Sequence, residues 1–312
     1  MAKQRSARKV FSDLCVELVR QAFLGLTRPF PLAFRSHVAA RLARFAIPRL
    51  RKARDRIGAN LGIAFPDMPQ PQRDRIVAAF GDNLGRGVVE LYAGRRLQPL
   101  AAQMAAAGSG LAALEAAQTE GKGAVLVSGH FGMTEAIRVA LIDRGLTCAT
   151  LYRPYNNPFY DRNFVRTYRQ NGPVLPRNPS GTRAFLKTIR DGGLVLLLPD
   201  QAMQGSPELS FFGVPAHTTL APAEVALKYK VPLIPVFARR TSSGLTFEVT
   251  FQAPIPHTDA ATMMQAYNDA LEQVVRAHPE QYFWLHRRWK RWDTAEVADG
   301  GAAPDLASKA PV

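Results

Sequence analysis

The stretch Val125-Leu-Val-Ser-Gly-His130-Phe-Gly-Met-Thr-Glu135 decides the fold. It opens with a short aliphatic run bounded by glycine, which predicts a buried strand over 124–128, and the residues over 134–144 then read as a helix. A strand, a tight turn and a helix bring His130 and Glu135 to the carboxyl edge of a sheet, where α/β proteins keep their sites. Two side chains five positions apart on one helix diverge by about 140°, so this pair meets only if His130 sits in the turn. Gly129 and Gly132 flank it and open backbone angles closed to other residues. From the first helical turn Glu135 then reaches back to an imidazole nitrogen, giving a carboxylate-oriented histidine suited to general-base work. The structural account of the same residues is a hydrogen-bonded histidine at a strand end and a glutamate favoured by the helix dipole.

Working outward, the texture alternates from residue 123. Apolar runs predict further strands over 147–152, 194–198 and 233–238, helices over 159–170, 181–190 and 221–230, and an edge strand over 245–251. A last helix over 259–277 carries Met263, Met264, Tyr267 and Leu271 at helical spacing, the methionines as core filler. Such alternation predicts an α/β layer structure. Upstream the chain reads as helical: a basic leader, a segment over 51–61, a helix over 72–94 opened by Pro69-Gln-Pro71, and a stretch over 97–120 broken at Gly108-Ser-Gly110. The expected organisation is a basic, membrane-associating helical region over 1–97, an α/β core over 98–293, and a disordered Ala-, Gly-, Asp- and Pro-rich tail over 294–312.

With 312 residues the chain can bury a large core. Its charge is +15, and thirteen of its 40 Lys and Arg lie within residues 1–54, against Asp13 and Glu17 alone. A basic leader implies an anionic partner. Between residues 18 and 50 the arginines are interleaved with Phe23, Phe30, Phe34, Leu42 and Phe45, the texture of an amphipathic interfacial segment; a solvated helical hairpin packed on the core is the other account. Arg28, Arg35, Arg41 and Arg44 interrupt any window of the ~20 apolar residues a membrane span needs, and no apolar region leads to a signal cleavage site. Cys15 and Cys148 make no metal or redox spacing and fit a reduced, cytoplasmic setting. No RNA- or DNA-binding module is present.

Two more strand ends carry polar groups. Tyr152-Arg153-Pro154-Tyr-Asn-Asn157-Pro158 leaves Arg153 projecting from a rigid loop, where a guanidinium binds phosphate or carboxylate in a two-pronged manner. Arg166 and Arg169 follow on a predicted helix, where a solvated face is the competing account. Leu196-Leu-Leu-Pro199-Asp200-Gln201 ends a buried run with an aspartate that binds substrate, holds a neighbouring arginine or caps the next helix. Phe211-Phe212-Gly213 follows as core or as the lining of an acyl pocket. There is no G-x-S-x-G elbow, no phosphate-cradling G-x-x-x-x-G-K-[ST] loop and no His pair at metal spacing. A histidine base with no built-in nucleophile favours direct transfer from an activated donor to a hydroxyl.

In order, His130-Phe-Gly-Met-Thr-Glu135, Tyr152-Arg-Pro154 with Asn157-Pro158, Pro199-Asp200-Gln201, Phe211-Phe-Gly213 and Pro279-Glu-Gln-Tyr-Phe-Trp-Leu-His-Arg-Arg288 resemble the lipid A biosynthesis acyltransferase family of late, lauroyl- or myristoyl-type enzymes. Asn60-Leu-Gly-Ile-Ala-Phe-Pro66 resembles its opening segment, so the resemblance covers about residues 54–292. It implies a core sheet like that of the glycerol-phosphate acyltransferases, flanked by helices. The implied enzyme moves a fatty acyl chain from acyl carrier protein, or coenzyme A, to a hydroxyl of an anionic lipid A precursor. It would do so at the cytoplasmic face of the bacterial inner membrane as a peripheral or monotopic protein. On this resemblance His130 is the base and Glu135 its orienter; Arg153 with Arg166 or Arg169 holds acceptor phosphate or steadies the oxyanion, and Asp200 supports one of these. Gln201 joins the substrate-binding set, and no metal, cofactor or covalent enzyme intermediate is implied. Two departures stand out. Thr134 occupies a position that is often aromatic, and the leader is less cleanly apolar than the family's usual anchor. The alternatives are a same-fold acyltransferase acting on a glycosylated phosphoinositide or an aminoacyl lipid, and a non-enzymatic basic membrane-binding protein.

Overall fold

The structure is a computed structural model that describes residues 7–241 and 244–290. Four helices lead: α1 (Ala7–Leu26), α2 (Leu32–Ala46), α3 (Arg51–Ala64) and α4 (Gln70–Leu91). A 3-10 segment, Gly94–Gln103, precedes β1 (Ala105–Ala107) and α5 (Ser109–Thr119). The alternating region follows as β2 (Ala124–Val127), α6 (Thr134–Ile142), β3 (Cys148–Tyr152), α7 (Pro158–Tyr168), β4 (Val174–Pro176), α8 (Pro179–Arg190) and β5 (Leu194–Leu197). The chain continues with β6 (Glu208–Phe211), β7 (Val214–His217), α9 (Ala221–Tyr229), β8 (Leu233–Arg240), β9 (Phe247–Phe251) and α10 (Ala260–Ala277). The tail expected over 294–312 lies outside the described residues.

Seven strands form one sheet in the order β1-β9-β8-β2-β5-β3-β4, parallel throughout except where β8 meets β9. Successive strand side chains point to opposite faces. Val125 and Val127 of β2 therefore join a core with α8, α9 and α10, while Ala124 and Leu126 join a second core with α5 and α6. Both faces are covered, which is why β2 and β5 are unbroken aliphatic runs buried at every position.

Register builds the site. Val127 pairs with Leu197, so the chain leaving β2 and the chain leaving β5 run side by side, and His130 and Asp200 each follow three residues on. Tyr152 pairs with Pro176, so Arg153 and Arg177 leave β3 and β4 together. The carboxyl ends of β2, β5, β3 and β4 thus line one edge.

The helical region is fastened to this sheet. Gly85 lets α4 press on α2, since a Cβ there would lie 2.2 Å from the Ala39 carbonyl oxygen. Ser36 Oγ donates to Glu90 Oε1 at 2.8 Å, and the same buried carboxylate receives Arg240 of β8, with Nη1 at 2.9 Å from Oε1. The outer side of these helices is different: Phe11, Val19 and Leu26 of α1 and Phe34, Leu42 and Phe45 of α2 are exposed. Among the described residues no helix is long and apolar enough to cross a membrane.

Three regions depart from the sequence reading. The strand expected at an edge, β9, is interior, because β1 pairs with it within the stretch expected to be helical; three alanines carry no strand signal. The three-residue β4 ends in proline, and the β6–β7 hairpin holds Pro215, which likewise masks its pattern. Phe211 and Phe212 are buried in the core that α10 shares.

Candidate active site

β2 ends at Val127 and α6 opens at Thr134, so His130 lies in the intervening turn. The turn is stitched to its surroundings by backbone bonds: Phe283 N–H donates to His130 O at 2.8 Å, Gly132 N–H to Gln281 O at 2.9 Å, and Met133 N–H to Ala238 O at 3.1 Å. Gly132 has φ +56°, and a Cβ there would lie 1.8 Å from the Ala238 carbonyl oxygen, so only glycine fits. The strut supplied by residues 281–286 is held from the far end of the sequence. Asn60 Nδ2 of α3 donates to Trp284 O at 2.6 Å and to His286 O at 2.8 Å.

The His130 ring is 28% exposed and rests on a fully buried carboxylate, Asp200. Asp200 Oδ1 is 2.7 Å from His130 Nδ1, and Asp200 Oδ2 accepts the His130 backbone N–H at 2.8 Å. Burial pushes the Asp200 carboxyl up, but the His130 ring and N–H more than reverse this and hold it at about 2. An ionised Asp200 takes a proton-bearing Nδ1, which leaves the Nε2 lone pair for an incoming proton. Gln201 Nε2 lies 3.1 Å from His130 Nε2 and 2.8 Å from His286 Nε2.

Glu135 is elsewhere. Its buried carboxylate receives Asn171 Nδ2 at 2.7 Å and Arg138 Nη1 at 3.1 Å, and no hydrogen bond joins it to the imidazole. The reach-back expected from sequence gives way because Arg138, one turn along α6, and Asn171 draw the carboxylate into the sheet-covering layer. Burial pushes the Glu135 carboxyl up against the pull of Arg138. Arg138 also donates to the Tyr168 carbonyl at 3.1 Å, so the cluster braces α6 against the end of α7.

His130 opens onto a cleft of about 410 Å³, the size of small-molecule sites generally. Leu151, Tyr155, Phe164, Tyr168 and Met203 give it an apolar wall, and Arg153, Arg177 and Gln201 line it as polar groups. Burial and then the charge of Arg153 lower the Arg177 pKa. Among the described residues neither arginine pairs with a carboxylate; Arg177 Nη1 meets only the Met203 sulfur, at 3.5 Å. Arg166 and Arg169 are exposed outside the cleft, Arg166 donating to Asn163 Oδ1 at 3.1 Å. Sequence reasoning therefore missed Arg177, hidden behind the unrecognised β4, and His286, which stood inside a quoted motif without a role. Among the described residues no group of three or more His, Cys, Asp or Glu is placed to hold a metal ion.

This edge can take a proton from a bound group at Nε2, return it from an oriented imidazole, and hold an anion at the paired arginines beside an apolar wall. Comparison with known proteins gives the chemistry a family. A lipid A biosynthesis acyltransferase of Haemophilus influenzae is 26% identical over 84% of this chain and 84% of its own. The lipid A biosynthesis lauroyltransferase of Escherichia coli is 26% identical over 86% of this chain and 88% of its own, and the myristoyltransferase of that organism 24% identical over 88% and 86%. The crystal structure of the 1-acyl-sn-glycerophosphate (LPA) acyltransferase PlsC from Thermotoga maritima is only a distant likeness, with 11% identity and TM-score 0.36 over 81% of this chain and 100% of that one. Residues 9–291 match the family model described as bacterial lipid A biosynthesis acyltransferase, and the chain belongs to that acyltransferase family.

Proposed function

We propose that this enzyme transfers a fatty acyl chain from the thioester of acyl carrier protein to a hydroxyl of an anionic lipid A precursor, with His130 as general base. The observation that carries the reading is the His130 ring at the cleft edge, its Nδ1 fixed on buried Asp200. The acceptor hydroxyl gives its proton to Nε2 as its oxygen attacks the thioester carbonyl. Asp200, rather than Glu135, orients the imidazole and steadies its charge. The C–S bond then breaks, the C–O bond remains, and the imidazolium returns the proton to the departing thiolate. Neither serine nor cysteine lines the cleft among the described residues, which supports direct transfer without an acyl-enzyme. The scheme uses no metal or cofactor.

Arg153 and Arg177 fit the acceptor's phosphate, as two arginines leaving adjacent strands into one cleft with no carboxylate partner among the described residues. The apolar wall fits an acyl chain. Membrane attachment is peripheral or monotopic, at the cytoplasmic face of the inner membrane, through the exposed apolar side chains of α1 and α2 among their arginines. α1 also leans on α7: Asn163 Nδ2 donates to Glu17 Oε1 at 2.6 Å, and Asn157 Nδ2 to Asp13 O at 2.8 Å. Phe164 and Tyr168 of α7 wall the cleft, so a bilayer holding α1 brings lipid to its side.

The test is mass spectrometry of lipid A from cells with the protein, without it, and with His130→Ala. The expected result is one acyl increment present only with the wild-type chain. An increment that survives in folded His130→Ala protein sinks the base; identical lipid A in all three strains sinks the acceptor.

A further inference from the structure

One amide nitrogen serves two imidazoles. Gln201 Nε2 carries two hydrogens and no available lone pair, so at 3.1 Å from His130 Nε2 and 2.8 Å from His286 Nε2 it acts only as donor to both. Both Nε2 atoms are then acceptors, and each neutral ring bears its proton on Nδ1. For His130 this agrees with Asp200 at Nδ1. For His286, burial and then the neighbouring His130 hold the imidazole down to about 4, so it is neutral near neutral pH. The rings meet edge to face with centroids 4.5 Å apart, and the His286 backbone is fixed by Asn60.

We propose that Gln201, held in register by His286, is a latch on the base: its amide occupies the very lone pair that must take the acceptor's proton, and the acceptor hydroxyl opens the site by displacing it. His286 is a positioning residue, anchoring the second N–H of the amide. Once displaced from His130, the amide stays tied to His286 with one N–H free to meet the incoming oxygen. The inference rests on the reading of His130 as the base.

Two readouts need no turnover. In the full-length wild-type protein labelled with ¹⁵N-histidine, NMR near neutral pH is expected to show His130 and His286 both protonated at Nδ1 and bare at Nε2. In the second, diethyl pyrocarbonate modifies histidines and mass spectrometry follows His130. Gln201→Met, which keeps bulk and loses both donors, is expected to speed His130 modification about three- to tenfold, the worth of one hydrogen bond. His286→Phe is expected to speed it less, and His286→Gln, which restores an acceptor, to return it toward wild type. A proton on His286 Nε2 in the wild type overturns the latch. So does unchanged or slower His130 modification in a Gln201→Met protein that melts like the wild type. Should Gln201→Met fail to fold, the wild-type tautomers decide. If His130→Ala keeps transferring acyl groups while these readouts hold, the base reading fails and the contact stands; if His130→Ala is inactive and the readouts fail, only the latch falls.

Discussion

Asp200→Asn preserves shape and removes one charge from beneath the imidazole proposed as the base. In the wild type, Asp200 Oδ2 accepts the His130 backbone N–H at 2.8 Å, and Oδ1 faces ring Nδ1 at 2.7 Å. Asparagine has one acceptor and one donor for these two places. The backbone N–H only donates, so it claims the amide oxygen and leaves the NH₂ facing Nδ1. The ring must then bare Nδ1 and move its proton to Nε2, the atom that accepts in the proposed reaction. Lost charge adds to the wrong tautomer: a carboxylate at this contact distance stabilises an imidazolium by on the order of 4–6 kcal/mol at an effective dielectric of about 20. Most of that is forfeited, so kcat is expected to fall by about 10³–10⁴ with acceptor KM within a few-fold. Thiol release from an acyl thioester in the presence of lipid acceptor measures it. The matched control is Glu135→Gln, whose carboxylate touches Arg138 and Asn171 instead of the imidazole. Breaking that buried pair costs about 3–5 kcal/mol of stability, read as a lower melting temperature, while kcat of the folded enzyme stays within about tenfold. Folded Asp200→Asn protein with near wild-type kcat would falsify the orientation by Asp200, as would a thousandfold loss in folded Glu135→Gln.

Alanine at Arg153 or Arg177 is expected to raise KM for a phosphorylated acceptor about ten- to hundredfold, the worth of a charged hydrogen bond, whereas alanine at Arg166 or Arg169 leaves it nearly unchanged; steady-state kinetics separates the two pairs. His286 titrates near 6.5 in the unfolded chain and at about 4 in the folded one, so the unfolded state binds the proton first and stability falls as pH drops through that window, by roughly 3 kcal/mol in all. Chemical denaturation across pH 7 to 4 is expected to show this loss in wild type and a flatter course in His286→Phe. Phe11→Ser with Leu26→Ser removes two exposed side chains worth about 1.5–3 kcal/mol each on burial, and vesicle sedimentation is expected to drop sharply; unaltered binding would remove α1 from the membrane contact.

How much the sequence disclosed depends on how local each signal was. Gly129 and Gly132 beside His130 marked a turn, and the aliphatic runs of β2, β5 and β8 marked buried strands, because those patterns are complete within a few residues. The partner of His130 was invisible for the opposite reason: Asp200 lies 70 residues away and arrives only through the pairing of β2 with β5. Glu135 was nearer in sequence, yet Arg138 one turn along α6 already claimed it. Arg166 and Arg169 were drawn into the site by the family resemblance alone, and the orientation of α7 turns them to solvent, as their place on a predicted helix face had allowed. Arg177 was one residue past a strand too short to announce itself.

The Asn60 clamp has a consequence for how the enzyme comes into being. Its donor and its first acceptor are 224 residues apart, and the strut it grips is the one that pins the His130 turn. A ribosome makes α3 more than two hundred residues before the strut, so the emerging chain carries the exposed apolar side chains of α1 and α2 long before the His130 turn can be pinned. Contacts this distant in sequence form late. A surface contact made through α1 and α2 can therefore precede the pinning of the His130 turn, and products truncated before residue 281 are expected to show no acyl transfer.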